Sequence, residues 1–243
     1  MIKGIYSSAS GMLPRLKSQE VLANNLANSS SPGFKKDRVF LKTLTEQQKK
    51  LVPTNSDWEE PMIDEIFTDF EQGMLEHTES MFDLAIEGEG FFVVSDGENE
   101  KYTRNGALSL SPEGFLITPT GEKVLGDSGP VIIQGSEVSI SPDGEISVDN
   151  VPIGKLQIVD FPKPYELKKV GEGLFSPKKE EVSPLPAMDF RLRQGFLEQS
   201  NVNPIDEMVN MIASFRYFES AQKTIQMQDQ TLEKLIEQVA NVK

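Results

Sequence analysis

The chain has no cysteine and only one histidine and one tryptophan among its 243 residues. Without cysteine there is no disulfide framework, no thiolate nucleophile and no cysteine-based zinc site. The lone histidine, His77, has no Ser, Cys or carboxylate motif beside it and reads as structural rather than catalytic. Positive charge is also short: 24 Lys and Arg stand against 38 Asp and Glu, a net −14 that argues against a nucleic-acid partner. No apolar run approaches the ~18 residues of a membrane span, and the N-terminus lacks the basic and apolar blocks of a cleavable signal peptide. The tight basic patch of Lys35, Lys36 and Arg38 reads as a solvated loop. The acidic stretches around Trp58 and from Asp64 to Glu71 lack metal-loop spacing and read as charged surface.

What the chain does have is apolar periodicity at both ends. Asn203 to Val242 reads as one helix of about forty residues, near 60 Å long at 1.5 Å per residue. Asn203 suits the N-cap, Pro204 the first helical position, and Asp206 and Glu207 place negative charge at the positive end of the helix dipole. Met208, Met211, Phe215, Phe218, Gln222, Ile225, Asp229, Leu232, Ile236 and Val239 then alternate in steps of three and four, the spacing of a seam for another helix. A long amphipathic helix lying on its own core is the other reading of the same pattern. At the N-terminus Ile2, Ile5, Ala9, Met12, Leu16, Gln19, Ala23 and Leu26 keep the same rhythm. Pro14 predicts a bend near Ser10 to Pro14, or a helix that starts around Leu13. The breakers from Asn28 to Gly33 predict its end.

Between the ends, 33–80 reads as an extended connector and 81–199 as an inserted β domain. Strand-like runs are 91–94, 108–110, 115–117, 131–133, 138–140 and 156–159, with Asp96-Gly97, Glu113-Gly114, Thr120-Gly121 and Asp143-Gly144 as turns. Val138 to Val148 is apolar at alternate positions on both sides of Pro142-Asp143-Gly144, and Leu108-Ser-Leu-Ser-Pro-Glu-Gly repeats that design. Gly88-Glu89-Gly90 and Gly171-Glu172-Gly173 lack the rest of a phosphate-binding loop and read as tight turns. No paired carboxylates, nucleophile elbow or metal triad occurs, so no catalytic, cofactor or metal residue is assigned. The fold class is α+β: terminal helices, 1–32 with 200–243, form a coiled-coil-like pair around an inserted all-β domain.

Several blocks follow one another in the order of a known family. They are Ser8-Ala9-Ser10-Gly11-Met12, Ala23 to Asn28, Pro32-Gly33-Phe34-Lys35, Asp83 to Phe92, Tyr102 to Gly106, Glu198 to Pro204 and Glu207 to Ile212. Together they resemble bacterial flagellar basal-body rod and hook proteins over nearly the whole chain. Gly126 to Pro130, Arg216 to Glu219 and Gln222-Lys223 are similar to the proximal-rod type, with the distal-rod type second. The chain lacks a long Gly/Gln-rich stretch before Asp83 and is too short for a hook protein.

The resemblance implies a structural subunit that polymerises into a tube transmitting torque and enclosing an export channel. It implies a place in the periplasmic rod, reached through the flagellum's own type III export apparatus without a cleaved signal. Its partners would be copies of itself and other rod proteins. Carried over as assembly residues are Asn24, Asn25, Leu26, Asn28, Pro32, Gly33, Phe34, Asn201, Asn203, Pro204, Met208, Val209 and Ile212; capping and turn making within one subunit is their other reading. The stripes add Ile5, Met12, Leu16, Phe215, Ile225 and Leu232. Ordering of the ends would then be coupled to assembly, because neighbours supply contacts that offset the entropy of ordering. The alternative outside the family is an acidic ligand- or peptide-binding β module with an intramolecular helical pair. An enzymatic reading has no carboxylate pair to support it.

Overall fold

A computed structural model describes residues 2–43, 61–135, 137–179 and 182–240, with 2–11, 41–43, 61–65 and 238–240 described by backbone alone. The Trp58 region and Val242 lie outside the described residues. The chain divides into two compact units, one of 1–27, 36–69 and 202–243, the other of 28–35 and 70–201.

The first unit holds two helices and a ribbon. Helix α1 spans Ile2–Ala27 and continues through Pro14, so the late start around Leu13 is not taken. Its end falls where the breakers begin. Helix α2 spans Pro204–Ala240, 37 residues and about 55 Å. Its start is capped as the sequence predicts: the Asn203 side-chain oxygen accepts from the Ile205 amide at 3.1 Å, and the Asn203 carbonyl accepts from the Glu207 amide at 3.1 Å. Asn25 of α1 lies beside Glu207, and Arg15 stacks over the Tyr217 ring, so the packed helices run antiparallel. Strands β1 (Asp37–Thr43) and β2 (Pro61–Thr68) form an antiparallel ribbon with a register shift at Phe40/Leu41. Its Phe40 and Phe67 rings, 6.3 Å apart, are exposed.

The second unit is built from antiparallel strands. Its main sheet runs in the order Leu167–Gly171, Leu174–Pro177, Glu100–Thr103, Phe91–Ser95, Lys123–Gly126, Leu116–Ile117 and Ser109–Leu110, with Gly129–Pro130, Ile158–Asp160 and Leu185–Pro186 attached off that path. Phe91–Ser95 explains why the core lies on both faces of this sheet. Side chains alternate across a strand, so Phe92 and Val94 enter a cluster with Leu84, Ile86, Leu116 and Ile146, while Phe91 and Val93 enter another with Tyr102, Phe161 and Phe175. Both repeated hairpins form as the alternation predicts: Val138–Ile140 pairs with Glu145–Val148, and Ser109–Leu110 with Leu116–Ile117. Around 131–133, by contrast, only an isolated bridge between Phe115 and Ile132 occurs. Leu84–Gly88 pairs with Phe190–Gln194 and Leu75–His77 with Phe196–Glu198, which brings the end of this unit back beside its beginning.

Candidate assembly surfaces

Lys35 of the basic patch is not a solvated side chain. Lys35 and Glu198 are 1% and 0% exposed and paired at 2.6 Å, so the loop reading is corrected for this residue. Burying either charge alone would be prohibitive, and the surroundings show how the cost is offset. The Lys35 ammonium also donates to the Glu71 carbonyl at 2.8 Å. Glu198 accepts from the Gly73 amide at 2.9 Å and faces Arg104 Nη1 at 3.3 Å. Arg104 in turn donates to the carbonyls of Ile86 at 3.3 Å and Gly88 at 2.8 Å. Burial pulls the Arg104 pKa below its ordinary value, with the Glu198 carboxylate opposing that shift. Gly33 closes the arrangement. Its amide donates to the Glu198 carbonyl at 2.7 Å, and a Cβ there would stand 2.4 Å from the Arg104 backbone, at φ +69°. Phe34 is buried under the Lys169 ammonium, 4.2 Å from its ring centre. Lys36 and Arg38 go elsewhere, to Asp69 at 3.7 and 2.7 Å.

Several residues carried over from the resemblance are thus occupied inside their own unit. Gly33 and Phe34 are buried; Pro32 and Asn28 are half-buried in a turn where the Ser31 amide donates to the Asn28 carbonyl at 3.1 Å. Asn201 donates from its side chain to the Glu71 carbonyl at 3.1 Å. In the helical unit Asn25 is buried and clasps the backbone of Asp37, donating to its carbonyl at 2.8 Å and accepting from its amide at 2.9 Å. Replacing Asn25 by Asp removes that donor and sets a carboxylate near Glu207. The expected loss is about 1–3 kcal/mol of helical-unit stability, read as a lower thermal midpoint for α1 and α2 amides in hydrogen exchange.

The apolar stripe of α2 does not form the seam as a whole, and here the expectation is corrected. The side chains turned inward include Glu207, Met211, Ser214, Phe218, Ala221, Ile225, Gln228 and Leu232, with Thr224 beside them. The three-four rhythm survives, but every second member sits one residue earlier than in the stripe. Small Ser214 and Ala221 take the close approach, and larger Met208 and Phe215 are turned out. Met208, Val209, Ile212 and Phe215 are 44%, 59%, 56% and 55% exposed. Leu16 on α1 is exposed, and Met12 and Leu26 are half-buried. Asn24, Asn203 and Pro204 lie on the surface, whereas the Ile5 side chain falls outside the described residues. The seam also leaves Gln19 Nε2, Ser214 Oγ and Gln228 Oε1 buried with no partner among the described residues. Such a seam is weak, since each buried unpaired polar atom costs free energy. Beside it, Gln19, Ala23, Met211, Ile212 and Phe215 line an open, mostly apolar groove of about 480 Å³.

The sequence missed the Lys35–Glu198–Arg104 cluster, although its three members lie in three of the matching blocks. Each is a charged residue inside a short block containing Gly, Asn or Pro, and nothing within those blocks marks it as buried. His77, read as structural, stacks edge-on against Phe196 with ring centres 4.9 Å apart.

Comparison with known proteins gives three family matches: flagella basal body rod protein over 5–35, flagellar hook protein FlgE/F/G D1 domain over 85–148, and flagellar basal body rod FlgEFG protein C-terminal over 193–238. The chain is 31% identical to the flagellar basal-body rod protein FlgF of Caulobacter vibrioides over 236 residues, covering 96% of this chain and 95% of that one. It is 32% identical to FlgF of Salmonella typhimurium over 250 residues, with 95% of each covered. It is also 32% identical to FlgG of Buchnera aphidicola from Acyrthosiphon pisum over 259 residues, covering 97% and 99%.

Proposed function

The chain belongs to the flagellar basal-body rod protein family and is a structural subunit of the rod in the flagellar basal body, and from that premise we propose that it polymerises through the outward face of α2 and the groove beside it. The observation that carries this reading is the divided apolar surface of α2: Met211, Phe218, Ile225 and Leu232 turn inward beside small and polar residues, whereas Met208, Val209, Ile212 and Phe215 are left exposed. A helix that existed to pack on its own subunit would place those four inward. Neighbouring rod subunits cover them, completing a coiled-coil-like helical layer, and contacts that do not close into a ring extend it into a tube. The tube transmits torque and encloses the path of exported subunits. The chain reaches the periplasm through the export apparatus and serves there as a structural part. The terminal helices form the helical domain, and the β unit is the inserted domain.

Proximal rod is the position we assign. Relatives named FlgF and FlgG stand at nearly equal identity, so identity does not choose between them. Alignment length leans only slightly toward FlgF: its matches run over 236 and 250 residues against a chain of 243, and the Buchnera FlgG match over 259. The missing Gly/Gln-rich stretch before Asp83 points the same way.

Amide hydrogen exchange on dilute subunit and on isolated rods tests the assembly reading. Exchange across 204–236 is expected to slow by roughly 100-fold or more on assembly, corresponding to about 2.7 kcal/mol, while 91–94 stays protected in both. Equal protection of α2 in the lone subunit and in the rod would count decisively against it.

A further inference from the structure

Helix-to-helix assembly makes no use of a carboxylate buried in the β unit, yet Glu198 is among the most buried side chains of the chain. Its position in the connectivity is informative. The chain passes between its two units four times, at 27/28, 35/36, 69/70 and 201/202. Within the β unit, the stubs of all four passages are tied at Glu198 or one bond from it. From the first stub, the Gly33 amide donates to the Glu198 carbonyl at 2.7 Å. From the second, Lys35 pairs with Glu198 Oε1 at 2.6 Å. From the third, the Gly73 amide donates to the same oxygen at 2.9 Å, and the Glu71 carbonyl accepts from Lys35 at 2.8 Å. The fourth stub is the one Glu198 itself begins. Asn201 then donates its amide to the Phe34 carbonyl at 3.3 Å and its side chain to the Glu71 carbonyl at 3.1 Å. Arg104, directly after the main-sheet strand Glu100–Thr103, joins the group through Glu198 Oε2.

We infer that Glu198 is a clamp: it fastens all four passages to the β unit, so that torque crossing between the units is shared by four strands instead of stretching one. A buried charge suits that task. Its bonds cannot be exchanged for water without opening the site, so the fastening holds until the unit itself yields. Glu198 is a positioning residue, acting on assembly and torque through Lys35, Gly73 and Gly33. The torque arm rests on the rod reading; the fastening does not.

The absence of cysteine gives a clean test, since labels go only where cysteine is introduced. Nitroxides on Ser30→Cys, in the stub between the first two passages, and on Ser128→Cys, elsewhere in the β unit, report by pulsed electron spin resonance of the full chain how firmly that stub is held. The clamp predicts one narrow distribution, widened at least about twofold by Glu198→Gln, whose amide sets a donor against Arg104. Circular dichroism checks that both units remain folded. In cells, the variant should assemble rods yet lose several-fold more swimming speed in viscous medium than in dilute buffer. A folded Glu198→Gln chain that keeps the narrow distribution overturns the proposal, as does a parent chain already as broad. If Glu198→Gln does not fold, Asn201→Ala removes one tie and no charge; it should broaden the distribution, and a narrow one again overturns the clamp. Normal swimming of a strain lacking the chain altogether would remove the rod reading but leave the distance result standing.

Discussion

Cells carrying Ile212→Asp with Phe215→Asp are expected to make no rods and not to swim, while the β unit of the variant melts where the parent's does. The two residues are 56% and 55% exposed in the lone subunit, so burying them against a neighbour has most of its gain still to come. Fully burying an Ile or Phe contributes about 1.5–3 kcal/mol, and roughly half of that remains available here. Each aspartate removes this gain and adds a carboxylate that the interface would have to desolvate, costing several kcal/mol more. A combined loss of roughly 4–6 kcal/mol per contact weakens association about a thousandfold or more, and a tube repeats that contact at every subunit. Neither residue belongs to the β unit's core clusters, which is why its thermal transition should not move. Gln226→Asp, on an exposed polar part of the same helix, is the control and should leave motility intact. Rods of normal length from the double variant would show that this face is not the one used.

How far the sequence told this in advance differs between the two units. Local patterns were readable wherever one side chain's neighbours lie nearby in sequence. The Asn203-Pro204 start of α2, the breakers after Ala27 and the Val138–Val148 hairpin all formed as the residue types dictate. The rhythm of α2 was readable too, but not its rotation. A three-four stripe gives the period of the apolar face; which of two neighbouring faces meets α1 depends on how closely the backbones approach, and that is set by Ser214 and Ala221, which carry little hydrophobic signal. Pro14 misled for a related reason. It removes one hydrogen bond, and flanking turns with good packing can absorb that loss without ending the helix. The strand Pro61–Thr68 escaped because its residues were read for charge rather than for the alternation that pairs Arg38 with Phe67 and Val39 with Ile66. Among the proposed assembly residues, exposed Leu16 and Phe215 came from the stripes and exposed Val209 and Ile212 from the resemblance, which also supplied Asn25, Gly33 and Phe34, all three held within their own units.

Long-range polar pairing was least legible of all. Lys35 and Glu198 are 163 positions apart, and nothing local to either distinguishes a buried lysine from a surface one. That same remoteness makes the pair consequential. Glu198→Ala is expected to lower the stability of the β unit by about 3–5 kcal/mol, because it leaves Lys35 and Arg104 charged, buried and short of their shared acceptor. For comparison, Lys179 and Glu166 pair at 3.0 Å with side chains 63% and 42% exposed; replacing Glu166 by Ala should cost less than about 1 kcal/mol. The two pairs look alike as distances and differ in what water can repair. Adding Lys35→Met to Glu198→Leu should recover part of the loss, since it removes one stranded charge and fills the space with apolar atoms, while Arg104 keeps its carbonyl partners on Ile86 and Gly88. Urea unfolding monitored in the β unit, with the slope unchanged between variants, gives both numbers. Equal stability losses at Glu198 and Glu166 would mean that the buried site admits water and that its charges are not stranded at all.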